Sequence, residues 1–122
     1  MMNLADGLAL QARARPDHPA IIAGERTVLY RDLDPLVRRT AAHLENLGVR
    51  AGEIVGVALH DTLEHLVLLY GLARMGAIML PIDCRWTVEE KTRLASFFKA
   101  RLVLLEADDE PLPGQNNLAV DA

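Results

Sequence analysis

Apolar positions change their spacing several times along the chain, and each change marks an element. Leu4, Leu8 and Leu10, with Ala5, Ala9 and Ala14, predict a short helix that breaks at Arg15-Pro16-Asp17. Ala20-Ile21-Ile22-Ala23 and Thr27-Val28-Leu29-Tyr30 flank Gly24-Glu25-Arg26, and two short β-type runs around a glycine-containing loop predict a hairpin. Leu33, Leu36, Val37, Ala41, Leu44 and Leu47 then recur at threes and fours, with Arg38, Arg39, His43 and Glu45 on the other sides, as on an amphipathic helix. Asp34-Pro35 reads as its N-cap and first helical residue, so the regular helix is expected to begin there. Gly48 suits the left-handed position that ends it.

After Ala51-Gly52-Glu53, residues 54–59 are apolar without alternation, the pattern of a strand covered on both faces. Residues 62–75 predict a helix stopped by Gly76, and residues 77–80 a second buried strand closed by Pro81. Thr87-Val88-Glu89-Glu90 forms a capping box for a helix reaching about Lys99, and residues 102–105 read as a third buried strand. From Glu106 onward Asp, Glu, Pro, Gly and Asn dominate until Leu118-Ala119-Val120. Residues 1–105 are therefore expected to be one α/β subdomain, and residues 106–122 a linker or the start of a further strand. Strands alternating with helices predict an α/β fold in three layers: a largely parallel sheet flanked by helices, with right-handed crossovers and a short N-terminal hairpin.

Composition narrows the function classes. A length of 122 residues with 51% hydrophobic and 25% charged residues is enough for one folded domain with a core. The net charge of −4 and the absence of any concentrated Lys/Arg stretch argue against a nucleic-acid partner. Residues 66–70 form the longest unbroken apolar run within the most apolar region, far short of the roughly 20 residues that span a bilayer. With Asp6 and two arginines near the N-terminus and one cysteine, Cys84, the expectation is a cytoplasmic protein without a disulfide.

The candidate chemistry is sparse. Neither G-x-G-x-x-G nor G-x-x-x-x-G-K-[ST] occurs, and Ser96 is the only serine, so no Ser/Thr/Gly-rich loop can cradle a triphosphate. The chain alone is not expected to bind ATP tightly. His60, Asp61, Glu64 and His65 could suggest a metal, yet the histidine spacing is one residue longer than the H-x-x-E-H pattern. The expectation is no metal, with Asp61 or Thr62 capping a helix. Cys84 has Arg85 beside it but no histidine evidently placed to activate a thiol, so it reads as an ordinary cysteine. Asp83 follows a strand as a receiver phosphoacceptor would, but the first strand ends in Gly24-Glu25, not in an acidic pair. No catalytic residue is assigned.

Several ordered segments resemble the acyl-adenylate-forming superfamily of acyl- and aryl-CoA synthetases, nonribosomal adenylation domains and luciferases. Arg15-Pro16-Asp17-His18-Pro19-Ala20-Ile21 resembles its "R-P-D-x-P-A-I", and Leu29-Tyr30-Arg31-Asp32-Leu33 its "T-Y-R-E-L". Residues 47–55 resemble "L-G-V-x-x-G-D-x-V", residues 72–77 "L-A-x-x-G-A", and residues 81–90 "P-L-D-P-R-x-T-x-E-E". Leu29, Cys84 and Phe98-Lys99 depart from the pattern, Leu29 removing an N-cap in agreement with a helix start at Pro35. The resemblance implies the N-terminal fragment of an ATP-dependent carboxylate-activating ligase of the acyl-CoA synthetase type, inactive alone. It implies ATP, magnesium and coenzyme A for the full-length enzyme, none of them held by this fragment. The implied partner is the remainder of the ligase chain. Arg85 matches a position that lies near the coenzyme A phosphates in some relatives. Surface left uncovered would favour a homo-oligomer. Two alternatives stand beside this reading: a non-enzymatic truncated paralogue that binds or regulates, and a receiver-like signalling domain.

Overall fold

The computed structural model describes residues 4–120. In chain order its elements are α1 (Leu4–Ala14), β1 (Pro19–Ala23), β2 (Arg26–Leu29), α2 (Tyr30–Asn46), β3 (Ile54–Ala58), α3 (Leu63–Met75), β4 (Ile78–Pro81), α4 (Val88–Phe97), β5 (Leu102–Glu106) and β6 (Asn117–Val120). β1 and β2 form an antiparallel hairpin, and the other four strands a parallel sheet in the order β4-β3-β5-β6. The expected α/β architecture, with its short hairpin, is the one observed.

Alternation along each strand assigns the two faces of the sheet. Val55, Val57 and Leu59 of the β3 segment, with Leu102 and Leu104 of β5, meet Leu44 of α2 and Leu72 of α3. Ala58, Val103 and Leu105 point the other way and pack with Ala95 of α4, Ile82 and Leu112. The chain leaves β3 toward β4 with α3 on the first face, then passes back beyond β3 to β5 with α4 on the second. Reversing the direction while changing the face keeps both crossovers of one hand. α1, the hairpin and α2 close a smaller core around Leu8, Leu33 and Val37.

The segment between β5 and β6 contains no helix. It buries Leu112, whose N–H donates to Asn117 Oδ1 at 3.1 Å, while Asn117 Nδ2 donates to the Leu112 carbonyl at 3.0 Å. β6 then pairs with β5 in parallel, Val103 opposite Asn117 and Glu106 opposite Val120. This crossover can be short of secondary structure because Asn117 supplies the turn with both a donor and an acceptor.

α2 corrects one expectation. It begins at Tyr30, before Asp34-Pro35, although Leu29 provides no side-chain cap. Two first-turn amides are instead satisfied by the preceding turn: Tyr30 N–H donates to the His18 carbonyl and Arg31 N–H to that of Pro16, each at 3.1 Å. Asp34 is thereby placed inside the helix with its carboxylate buried, where it receives Arg38 of the next turn at 3.0 Å and Arg74 of α3 at 3.2 Å. Pro35 lies inside the helix too, at the cost of one i→i−4 hydrogen bond near its start.

α2, α3 and α4 end alike. Val49 N–H donates to the Leu44 carbonyl, Ala77 N–H to Leu72 and Ala100 N–H to Ala95, each bond enclosing a second from the preceding residue: Gly48 to Glu45, Gly76 to Ala73 and Lys99 to Ser96. The left-handed residue of this motif is Gly48 (φ 95°), Gly76 (φ 80°) and, in α4, Lys99 (φ 55°). α4 therefore ends at Phe97, slightly before the expected Lys99.

α2 and α3 approach closely at Gly71, where an added Cβ would lie 2.8 Å from Thr40 Cγ2 and 3.5 Å from the Ala41 backbone nitrogen. Thr40 is itself held by a bond from Oγ1 to the Leu36 carbonyl at 2.9 Å. Gly71→Ala should cost about 1–3 kcal/mol by overpacking, whereas Lys99→Gly should gain about 0.5–1 kcal/mol by relieving the left-handed lysine. Urea unfolding monitored by circular dichroism would show opposite shifts of the two midpoints.

Candidate functional site

Parallel strands all deliver their carboxyl ends to one side of a sheet, and the chain passes in opposite directions from β3 to its two neighbours. The crevice beyond the ends of β3 and β5 is thus the topological switch point, where open α/β sheets place ligands. His60 follows the β3 segment there, and Glu106 closes β5. Glu106 Oε1 accepts the His60 backbone N–H at 2.7 Å and lies 2.9 Å from His60 Nδ1. These two hydrogen bonds, the backbone one first, hold the Glu106 carboxyl below the usual range. The sequence showed both residues but gave no sign of their pairing, which depends on β3 and β5 being neighbours.

The other residues of the His60–His65 segment go to separate partners. Thr62 caps α3, its Oγ1 accepting the His65 N–H at 3.2 Å. His65 Nδ1 is 3.5 Å from Asp61, and Glu64 accepts Arg26 Nη1 at 3.4 Å. Among the described residues no group of three or more His, Cys, Asp or Glu side chains converges as a metal site would.

Asp83, Cys84 and Arg85 form the turn beyond β4. Arg85 closes a fork on Asp83, with Nε to Oδ1 at 3.0 Å and Nη2 to Oδ2 at 2.9 Å. Its backbone N–H also donates to Asp83 Oδ1, at 2.9 Å. The Arg85 side-chain bonds and then its backbone N–H lower the Asp83 carboxyl to about 2. Arg85 is exposed, with Nη1 unengaged among the described residues. Cys84 is a half-buried free thiol. Trp86 and the capping box follow, with Glu90 N–H donating to Thr87 Oγ1 at 3.1 Å and Thr87 N–H to Glu90 Oε1 at 3.2 Å.

These groups pair with one another and present no nucleophile joined to a base. The only serine, Ser96, lies apart from them near the end of α4 and accepts Gln115 Nε2 at 2.9 Å. On the other face of the sheet an apolar groove of about 520 Å³ runs between α2, α3 and β6. Leu36, Val67, Leu68, Leu118 and Val120 line it, and Arg39 and His43 stand at its rim.

Comparison with known proteins adds a family. A model described as AMP-binding enzyme matches residues 8–121. Phosphinothricin tripeptide synthetase PhsC of Streptomyces viridochromogenes is 38% identical over 78% of this chain, and surfactin synthase subunit 2 of Bacillus subtilis 37% over 68%. The chain spans 9% and 2% of their lengths. The N-terminal subdomain of NpsA from Klebsiella oxytoca, in complex with 3-hydroxybenzoyl-AMSN, superposes with a TM-score of 0.88 at 24% identity, over 98% of this chain and 30% of that one. The anthranilate CoA ligase AuaEII, in complex with anthranoyl-AMP, gives 0.78 at 25% identity, over 85% and 20%.

Asp83 sets a test of the local electrostatics. Its folded pKa lies below its ordinary 3.8, so its contribution to stability is present above that value and is lost as pH falls toward about 2. In Arg85→Ala the Asp83 carboxyl-carbon signal should titrate back toward 3.8 in an NMR pH series. No displacement of the curve would show that the fork does not form in solution.

Proposed function

The chain belongs to the AMP-binding enzyme family, and we propose that it is the N-terminal α/β scaffold of a carboxylate-activating ligase. In the complete enzyme a substrate carboxylate oxygen attacks the α-phosphorus of ATP and pyrophosphate leaves, giving an acyl-adenylate. A thiol sulfur then attacks the acyl carbon, AMP leaves with the bonding electrons, and the thiol proton passes to solvent or a base. The observation that carries the reading is the family match over residues 8–121. Catalysis then falls to the rest of the adenylation domain, with its ATP and magnesium, and this chain is inactive alone.

The peptide synthetases among its relatives favour a carrier-protein thiol as acceptor. The acyl-CoA synthetase reading is the second, supported by the likeness to the anthranilate CoA ligase and by Arg85. In that reading Arg85 meets the nucleotide phosphates of coenzyme A through Nη1, the nitrogen that Asp83 leaves unused. The remainder of the domain docks on the outer edge of β6 and on the groove beside it, whose floor is made by Leu118 and Val120. A second copy of the chain is the competing occupant of that edge.

Acid-dependent ATP–pyrophosphate exchange tests the proposal. The native protein containing this segment should exchange with at least one member of a carboxylic-acid panel, and the isolated 122-residue chain with none. A native mass near 13.4 kDa with no exchange would turn the reading toward a binding module. If coenzyme A is the acceptor, Arg85→Ala in the native enzyme should raise its KM by roughly tenfold while leaving exchange unchanged. With a carrier-protein acceptor the substitution should be silent.

A further inference from the structure

Among the described residues two charged side chains are buried, Asp34 and Lys91. Asp34 has two arginine partners at hydrogen-bond distance. Lys91, in the first turns of α4, has none: its side chain is 7% exposed, and its ion-pair partner is Asp109 Oδ2 at 3.9 Å. That oxygen is buried and accepts no hydrogen bond from the protein. A buried carboxylate oxygen is costly to leave unbonded. Here, among the described residues, the only compensation the structure gives Oδ2 is the Lys91 ammonium charge, 3.9 Å away.

We propose that Lys91 is the positioning residue of the 107–116 crossover, acting on Asp109 through their ion pair. Asp109 is fixed to the carboxyl end of β5 by its N–H, which donates to the Glu106 carbonyl at 3.1 Å. Leu112, farther along the same loop, plugs the α4 face of the sheet. Asn117 then opens β6. Lys91 therefore links the helix that covers this face to the loop that sets where β6 lies. A loop without helix or strand needs such an external tie, because its own turns leave it several arrangements.

Amide hydrogen exchange on the intact chain tests this, read at Leu112 N–H, which is bonded to Asn117, and at Ala77 N–H, beside the opposite edge strand of the sheet. Lys91→Met and Asp109→Asn should each speed exchange at Leu112 by roughly tenfold relative to Ala77, and the double variant should add little. Lys91→Arg, which keeps the charge, should leave exchange at Leu112 slow. Equal acceleration at both amides would make Lys91 a general stabiliser and overturn the positioning role. Asp109→Asn, which keeps the size of the side chain, carries the test if Lys91→Met does not fold.

Discussion

β3 lies between β4 and β5, with Val55 opposite Met79 on one side and Leu102 on the other, and Val55, Val57 and Ala58 almost wholly out of solvent. A strand in that position must be apolar on both faces and must hydrogen-bond along both edges. Everything around it follows from that demand. Each neighbour must arrive parallel, so a helix or a long loop has to return the chain every time. Two faces must be covered, so α3 and α4 take opposite sides. The direction of travel must reverse across β3, which creates the crevice where His60 and Glu106 meet.

Elements whose signal was carried by neighbouring residues were legible in the sequence. The apolar runs at β3 and β5, the Thr87–Glu90 box and the glycines at 48 and 76 each describe a local requirement, and each is found in place. The start of α2 was not legible, because its amides are met by the carbonyls of His18 and Pro16 and not by any side chain of its own. A backbone acceptor has no letter in the sequence. Asp34 misled for the same reason: an Asp-Pro pair is a good helix opening in isolation, but the arginines that hold this aspartate come from the next turn and from another helix. At the candidate site Asp83 and Arg85 were visible as residues. Their fork and the His60–Glu106 contact depend on geometry that spacing alone cannot express.

The charged groups around the sheet's carboxyl end are largely paired with one another. Asp83 with Arg85, Glu106 with His60, and Glu64 with Arg26 each satisfy a charge locally. Exposed pairs of this sort add little stability. Two of them hold their carboxyls, Asp83 and Glu106, below the usual range and so ionised at neutral pH. Apolar surface is instead left over at the β6 side of the sheet, beside an unpaired edge.

The two ends of the sheet differ in how freely they could change over evolutionary time. At the amino end three identical helix exits feed the strands, and the returning segments are stitched together: Gly52 N–H to the Gly76 carbonyl at 2.8 Å, Ile78 N–H to Glu53 at 2.8 Å, and Arg101 N–H to Ile54 at 2.7 Å. An insertion there would have to break bonds shared by several connections at once. At the carboxyl end the Asp83–Arg85 fork and the Thr62 cap tie their connections to themselves, and the His60–Glu106 contact alone among those described above joins two of them. One can lengthen or be rewritten without disturbing the next. Descendants of this fold could therefore diversify at one rim while the opposite rim stays nearly unaltered.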